Sequence, residues 1–233
     1  MPLAAFLGRF PVTAPGTGAA ISADPDDEAY VPPPLAGLFA ELAGATLAGG
    51  LLRVHTPASS RQAYLACTRL VPDVEERFYP FAFDWQGREF ALDIALDVRG
   101  PDGEADRPVL VVDPGSGTGL ATGLGLDGWL TAAADEDAEP DPFARQAYAH
   151  WCEAVPEAGA PAFGQVVGYR IPLFLDGEDD VRNQELRDRA EYFDTCTELA
   201  LLARRLPPGS GLSSPVTRPP RPRDRTAEAP DAD

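Results

Sequence analysis

Between Tyr79 and Asp93 the chain reads YPFAFDWQGREFALD, with Phe81, Phe83, Trp85 and Phe90 interleaved with Ala82, Asp84, Gln86 and Arg88. A period near two with large aromatic side chains is the pattern of strands that bury their faces, and Gln86-Gly87 falls where a short turn reverses the direction. The stretch therefore predicts a buried β-hairpin. A hairpin is marginal alone and needs further strands or helices against it. The rest of the chain must supply them.

Upstream, Pro32-Pro33-Pro34 leads into Leu35, Leu38, Phe39 and Leu42 at helical spacing, and Gly44 is a C-terminal stop. Leu51–His55 reads as a short strand. Thr56-Pro57 then opens a helix running to about Leu70, with Tyr64 and Leu65 expected to face inward. Downstream, the polar segment 97–107 reads as a loop. The unbroken apolar run Pro108–Val112 reads as a strand covered on both faces, and Asp113–Gly117 as a turn into a returning strand at Gly119–Leu124.

Asp127 is the expected cap of a short helix over Gly128–Ala134 anchored by Trp129, and Asp141-Pro142 opens another over Phe143–Ala154. Gln165–Leu175 reads as a strand interrupted by Pro172. A final helix is expected from about Arg187 to Arg205. The fold class is α+β, with a mostly antiparallel sheet and helices packed on it. Residues 1–28 are expected to be a flexible lead-in, residues 29–206 the domain, divisible into halves 29–97 and 108–206, and residues 207–233 a disordered Pro/Arg-rich tail.

The formal net charge is -18, and all 19 basic residues are arginine. Such an acidic chain is a poor nucleic-acid binder, because basic side chains neutralising phosphates supply most non-specific affinity. The charge either serves solubility or attracts a basic protein. A P-loop is excluded, since its lysine is missing. Gly123–Gly128 spells G-x-G-x-x-G, but only a short helix follows, which argues against a dinucleotide site.

The acidic run Asp176–Asp180 lacks the alternating ligands and closing glutamate of a calcium loop. Cys67, Cys152 and Cys196 are odd in number and far apart, as expected of thiols in a reducing compartment, without a disulfide framework or zinc site. No stretch is long and apolar enough for a membrane span. In Met1–Phe10 the one charge, Arg9, follows the apolar residues, the wrong order for a signal peptide. A cytoplasmic protein without metal or cofactor is expected. Neither His55 nor His150 has a cysteine or second histidine at a metal-ligand spacing, and no enzyme is expected. A pocket bringing either within reach of a cysteine, serine or carboxylate would be the mark of one.

Tyr79–Asp93 as a whole resembles the Y-P-F-A-F-D-W-x-G-R-x-F-A-x-D core of the bacterial GAD-like family, in which it is coupled to the C-terminal domain of type VI secretion DNase-immunity proteins. Gly168–Asn183, GYRIPLFLDGEDDVRN, is similar to that domain's G-Y-K-x-P-L-F-L-G-G-x-D-x-x-x-N signature. Glu185, Asp188, Tyr192, Phe193 and Leu199 continue it. Arg170 stands where lysine is usual, Asp176 where glycine is, and Gln184 where leucine is common. The likeness spans about Tyr30 to Leu206.

The resemblance implies an α+β fold and a non-enzymatic antitoxin-like role, in which the protein binds and neutralises a toxin such as a nuclease. It carries over no catalytic residue or cofactor. The alternative is a housekeeping or regulatory interaction module of the same fold with no toxin partner. For the antitoxin-like role, the expected contact surface is Tyr169 and Arg170 with Asp176, Glu178, Asp179 and Asp180.

Overall fold

The computed structural model describes residues 2–16, 18–95, 98–99, 105–138 and 141–206. Its centre is an antiparallel sheet in the order β1-β2-β3-β4-β5-β8-β9. These strands are Val12–Ala14, Thr46–Leu47, Leu52–Val54, Phe78–Asp84, Glu89–Asp93, Pro108–Asp113 and Thr118–Gly125. The expected hairpin is β4–β5, pairing Phe78 with Asp93 and Phe83 with Glu89. Gly87 turns it at φ 81°. Two small ribbons stand apart: β6 (Val98–Arg99) with β7 (Ala105–Asp106), inside the segment expected to be a loop, and β10 (Gln165–Tyr169) with β11 (Gln184–Asp188).

Both faces of the sheet are covered, which is why its inner strands read as apolar runs. Phe81, Phe90, Leu92 and Val109 join one core with residues of α1 (Pro2–Arg9), α2 (Ala36–Leu42), α4 (Leu126–Ala134) and α5 (Arg145–Ala154). Trp129 gathers this layer, its ring 5.1 Å from Phe90, 5.3 Å from Phe81 and 5.4 Å from Phe143. Phe78, Ala91, Leu110 and Val112 join the opposite core with α3 (Pro57–Leu70) and α6 (Arg189–Ala203). Phe83 packs beside it with Val166 of β10 and Tyr192 and Cys196 of α6. The fold is α+β, an antiparallel sheet with helices packed on it.

Several local expectations are corrected. Phe6 of α1 and Phe10 just beyond it are fully buried, and β1 pairs with β2. The start of the chain is thus part of the core, because its phenylalanines reach the cluster around Phe143. In α3 the inward residues are Ser60, Ala63, Cys67 and Leu70; Tyr64, beside that stripe, is half-buried, and Leu65, 57% exposed, lies on the opposite face.

Asp127 lies in the first turn of α4 and does not cap it. Helix α5 starts at Arg145, later than expected, because the Asp141 carboxylate accepts from the Phe143 and Arg145 backbone N–H groups around a left-handed Ala144. β10 stops at Tyr169. Residues 184–188 form a strand, so α6 starts at Arg189 with Asp188 capping Glu191 N–H. Expectations for 207–233 lie outside the described residues. No helix among the described residues is long and apolar enough to cross a membrane.

Candidate functional site

Two polar constellations stand out, one enclosed and one on the surface. The enclosed one grows from strand pairing. Arg53 and His55, at the end of β3, point into the same layer as Glu89 of β5, and the first turn of α6 brings Arg189 to it. Glu89 Oε2 lies 2.8 Å from His55 Nε2, and Glu89 Oε1 accepts from Arg189 Nε at 3.0 Å. Arg53 donates to the carbonyls of Gly50 and Gln165. Both guanidiniums lie over the Phe83 ring, at 4.6 Å for Arg53 and 4.3 Å for Arg189. Arg53, His55 and Glu89 are all fully buried.

Burial pushes Glu89 upward, but Arg189 and His55 outweigh it and hold the carboxyl below its usual range. Burial drives His55 below its ordinary value, against the attraction of Glu89. Burial likewise lowers Arg53, to about 10. An ionised carboxylate only accepts, so neutral His55 donates from Nε2 and its Nδ1 accepts from Ser59 Oγ, 2.9 Å away.

This joins serine, histidine and glutamate, the combination whose presence in a pocket would mark an enzyme. The Ser59 oxygen is engaged otherwise. It accepts from Thr56 N–H at 2.9 Å while Thr56 Oγ1 accepts from Ser59 N–H at 3.1 Å, the capping box of α3. Neither His55 nor Ser59 lines any of four surface grooves of 350 to 420 Å³. The arrangement pairs the buried polar groups of His55 and Glu89 and caps a helix, while the buried Arg53 Nε has no hydrogen-bond partner among the described residues. His150 is exposed on α5.

The hairpin's own charges are structural in the same way. Asp84 Oδ2 accepts from Arg88 Nε at 2.6 Å, and Asp84 Oδ1 accepts from the backbone N–H groups of Gln86 and Arg88, closing the turn. Asp93 is held by Arg77. No group of three or more His, Cys, Asp or Glu able to hold a metal occurs among the described residues. The G-x-G-x-x-G stretch spans the junction of β9 and α4, with Gly128 inside a nine-residue helix.

The surface constellation is the loop between β10 and β11, residues 170–183, which contains five of the six residues expected from the sequence. Asn183 organises it. Its Oδ1 accepts from Ile171 N–H at 3.0 Å, and its Nδ2 donates to the carbonyls of Ile171 at 2.8 Å and Glu178 at 2.9 Å. Asp176 turns the chain at φ 61°. Gly177 packs so close that a Cβ there would lie 1.9 Å from the Ile171 carbonyl oxygen. Leu173 N–H donates to Gly115 O, tying the loop to the β8–β9 turn.

The expected contact residues divide into two groups. Tyr169 is only 5% exposed. Its hydroxyl donates to Asp179 Oδ1 at 2.7 Å and accepts from Gln86 Nε2 at 2.9 Å. Burial, and then Asp179, push its phenol upward. Tyr169 and Asp179 therefore fasten the loop to the hairpin turn. Arg170, Asp176 and Glu178 line the outer surface, as does Asp179 despite its bond to Tyr169, while Asp180 is half-buried; Arg170 pairs with Glu185 at 3.2 Å. Asp180 accepts from Arg182 Nε at 2.9 Å, which with the Arg182 backbone contact holds Asp180 below the usual carboxylate range.

Sequence reasoning passed over Ile171, 53% exposed at the loop's shoulder, and Arg182, with 79% of its side chain exposed. The mixed order Arg-Ile…Glu-Asp-Asp-Val-Arg was the available signal. It shows a loop of alternating sign and not a purely acidic one.

No protein-family profile matches the chain, and no curated protein matches it. Among solved structures, the crystal structure of Atu4351 from Agrobacterium tumefaciens is similar in fold, with a TM-score of 0.54 at 12% sequence identity over 83% of this chain and 87% of that one.

Proposed function

We propose that the chain is a non-enzymatic cytoplasmic binding protein of the immunity type, which uses the 170–183 loop to bind a toxin such as a nuclease and cover its active site. The observation that carries this reading is the construction of the loop. Asn183, Gly177 and the Tyr169–Asp179 contact fix its backbone, while Arg170, Ile171, Asp176, Glu178, Asp179 and Arg182 are exposed on its surface and Asp180 is half-buried. A prebuilt loop loses little conformational freedom on binding, which favours affinity at a modest contact area. The net charge of -18 draws in a basic partner such as a DNA-cleaving protein. Three free cysteines fit the reducing cytoplasm.

The test mixes the purified chain with the nuclease encoded beside its gene and follows both DNA cleavage and complex formation. Inhibition with a stable complex is expected. Undiminished cleavage with no complex would leave the housekeeping interaction module as the better reading.

A further inference from the structure

We infer that β9 is a second docking edge, which accepts one extended, basic segment of a partner protein by strand addition. Strand β9 ends the seven-stranded sheet, and among the described residues only β8 pairs with it. An open edge presents a row of backbone donors and acceptors, and proteins that must keep one empty usually guard it with charges, proline or a short strand. β9 is eight residues long, TGLATGLG, and carries no charge and no proline. A bulge near Gly123, at φ 75°, confines regular pairing to Thr118–Ala121, which sets the length of the incoming segment.

Beside this edge runs a groove of about 420 Å³, lined by Phe90, Val111, Leu120, Leu124 and Trp129. Leu120 is 67% exposed on its lip. An added strand would place alternate side chains over this groove, the usual division of labour in strand addition.

Charge selects the occupant. Asp135, Glu136 and Asp137 are exposed beside Ala138 on the groove wall; Glu136 is paired with Arg9 at 2.7 Å, and Arg88, which also lines the groove, is held by Asp84, so the rim is acidic on balance, and the whole chain carries -18. A second copy would bring the same charge to the same edge. A segment with apolar residues on one face and arginine or lysine on the other meets both surfaces. The inference concerns a different surface from the 170–183 loop and holds whether or not the partner is a toxin.

The test uses the full chain and a fluorescein-labelled peptide of alternating arginine and valine, followed by anisotropy and by amide hydrogen exchange. Saturable binding with slowed exchange at Leu120–Thr122 is expected, with no binding by a peptide N-methylated at alternate residues. Leu120→Asp should weaken binding by about tenfold, the loss typical of one anchor side chain. Diffuse attraction to an acidic protein predicts the opposite sign, because the variant adds negative charge, so unchanged or tighter binding overturns the inference. It is also overturned if the outward-facing β9 amides, those not bonded to β8, are already protected in the free monomer, meaning that the chain's own segment fills the edge. A dimer that protects β9 at higher protein concentration overturns it in favour of a second copy.

Discussion

The layer around Glu89 and the loop from Arg170 to Asn183 are both built from arginines and acids at hydrogen-bond distance, yet they differ in their access to water. Glu89 and His55 have no exposed side-chain surface, whereas Glu178 and Arg182 each expose 79% of theirs. Removing one member of an enclosed pair leaves a charge stranded out of water. At the surface, water and salt take over the lost partner. The buried layer should therefore govern stability and the loop recognition, although the two look alike as patterns of charge.

The sharpest way to break this contrast is Glu89→Ala. It leaves Arg189, which lines a surface groove with 15% of its side chain exposed, without a carboxylate and takes away the acceptor of the fully buried His55. A cost of about 3 kcal/mol is expected, the low end of the range for opening a buried ion pair from one side, because Arg189 keeps some contact with water. Chemical denaturation measures it. A cost near that of a surface substitution would show that water enters the layer freely.

Next in size is Gly177→Ala. The new methyl would meet the Ile171 carbonyl at 1.9 Å, so the loop must shift. Exposed loops tolerate such movement, and the expected stability loss is about 1–2 kcal/mol. Partner binding should fall much further than that, because the preorganised surface is lost. Stability and affinity falling together by equal amounts would erase the division between the two regions.

The pH dependence follows from the same layer. The folded chain holds His55 below its ordinary value of 6.5, so below that pH the unfolded chain takes up a proton that the folded chain refuses. Stability should fall as pH drops from 6.5, by up to ~1.4 kcal/mol per pH unit. Glu89, also lowered, adds a loss of the same sign below its ordinary 4.5. Asp84 works the other way: burial raises it despite Arg88, and its protonation favours the folded chain. Comparing unfolding curves of the wild type and His55→Gln across pH 5 to 8 isolates the histidine. Equal slopes below 6.5 would mean that His55 is protonated in the folded state.

Much of this architecture was legible in the sequence because it rests on local signals. The aromatic alternation of β4–β5, the Thr56-Pro57 helix start and the Asp113–Gly117 turn each act within a few residues. What was not legible depends on distant partners. Nothing near Phe6 and Phe10 announces that they fill space beside Phe143, so a Pro- and Gly-rich start read as a loose lead-in. Nor does anything near Glu89 announce its buried network, because its partners His55 and Arg189 are 34 and 100 positions away. The loop was located from its acidic run, but the roles within it were set by contacts outside it. Tyr169 turned inward because Asp179 and Gln86 claim its hydroxyl.

The smallest stability effect and the most selective functional one belong to Glu178→Arg. The carboxylate lies 3.7 Å from Arg182 with both side chains in water, so its reversal should change stability by less than about 0.5 kcal/mol. It nevertheless changes the sign of one charge on the proposed contact surface, and a rim charge acts mainly during approach. Association with a basic partner should slow several-fold at low salt, with little change in dissociation. The difference should shrink as added salt shortens the reach of charge to about 8 Å at physiological ionic strength. Stopped-flow mixing at two salt concentrations measures this directly. An unchanged association rate would move the contact surface off the loop, while the layer around Glu89 would keep its role as the electrostatic support of the fold.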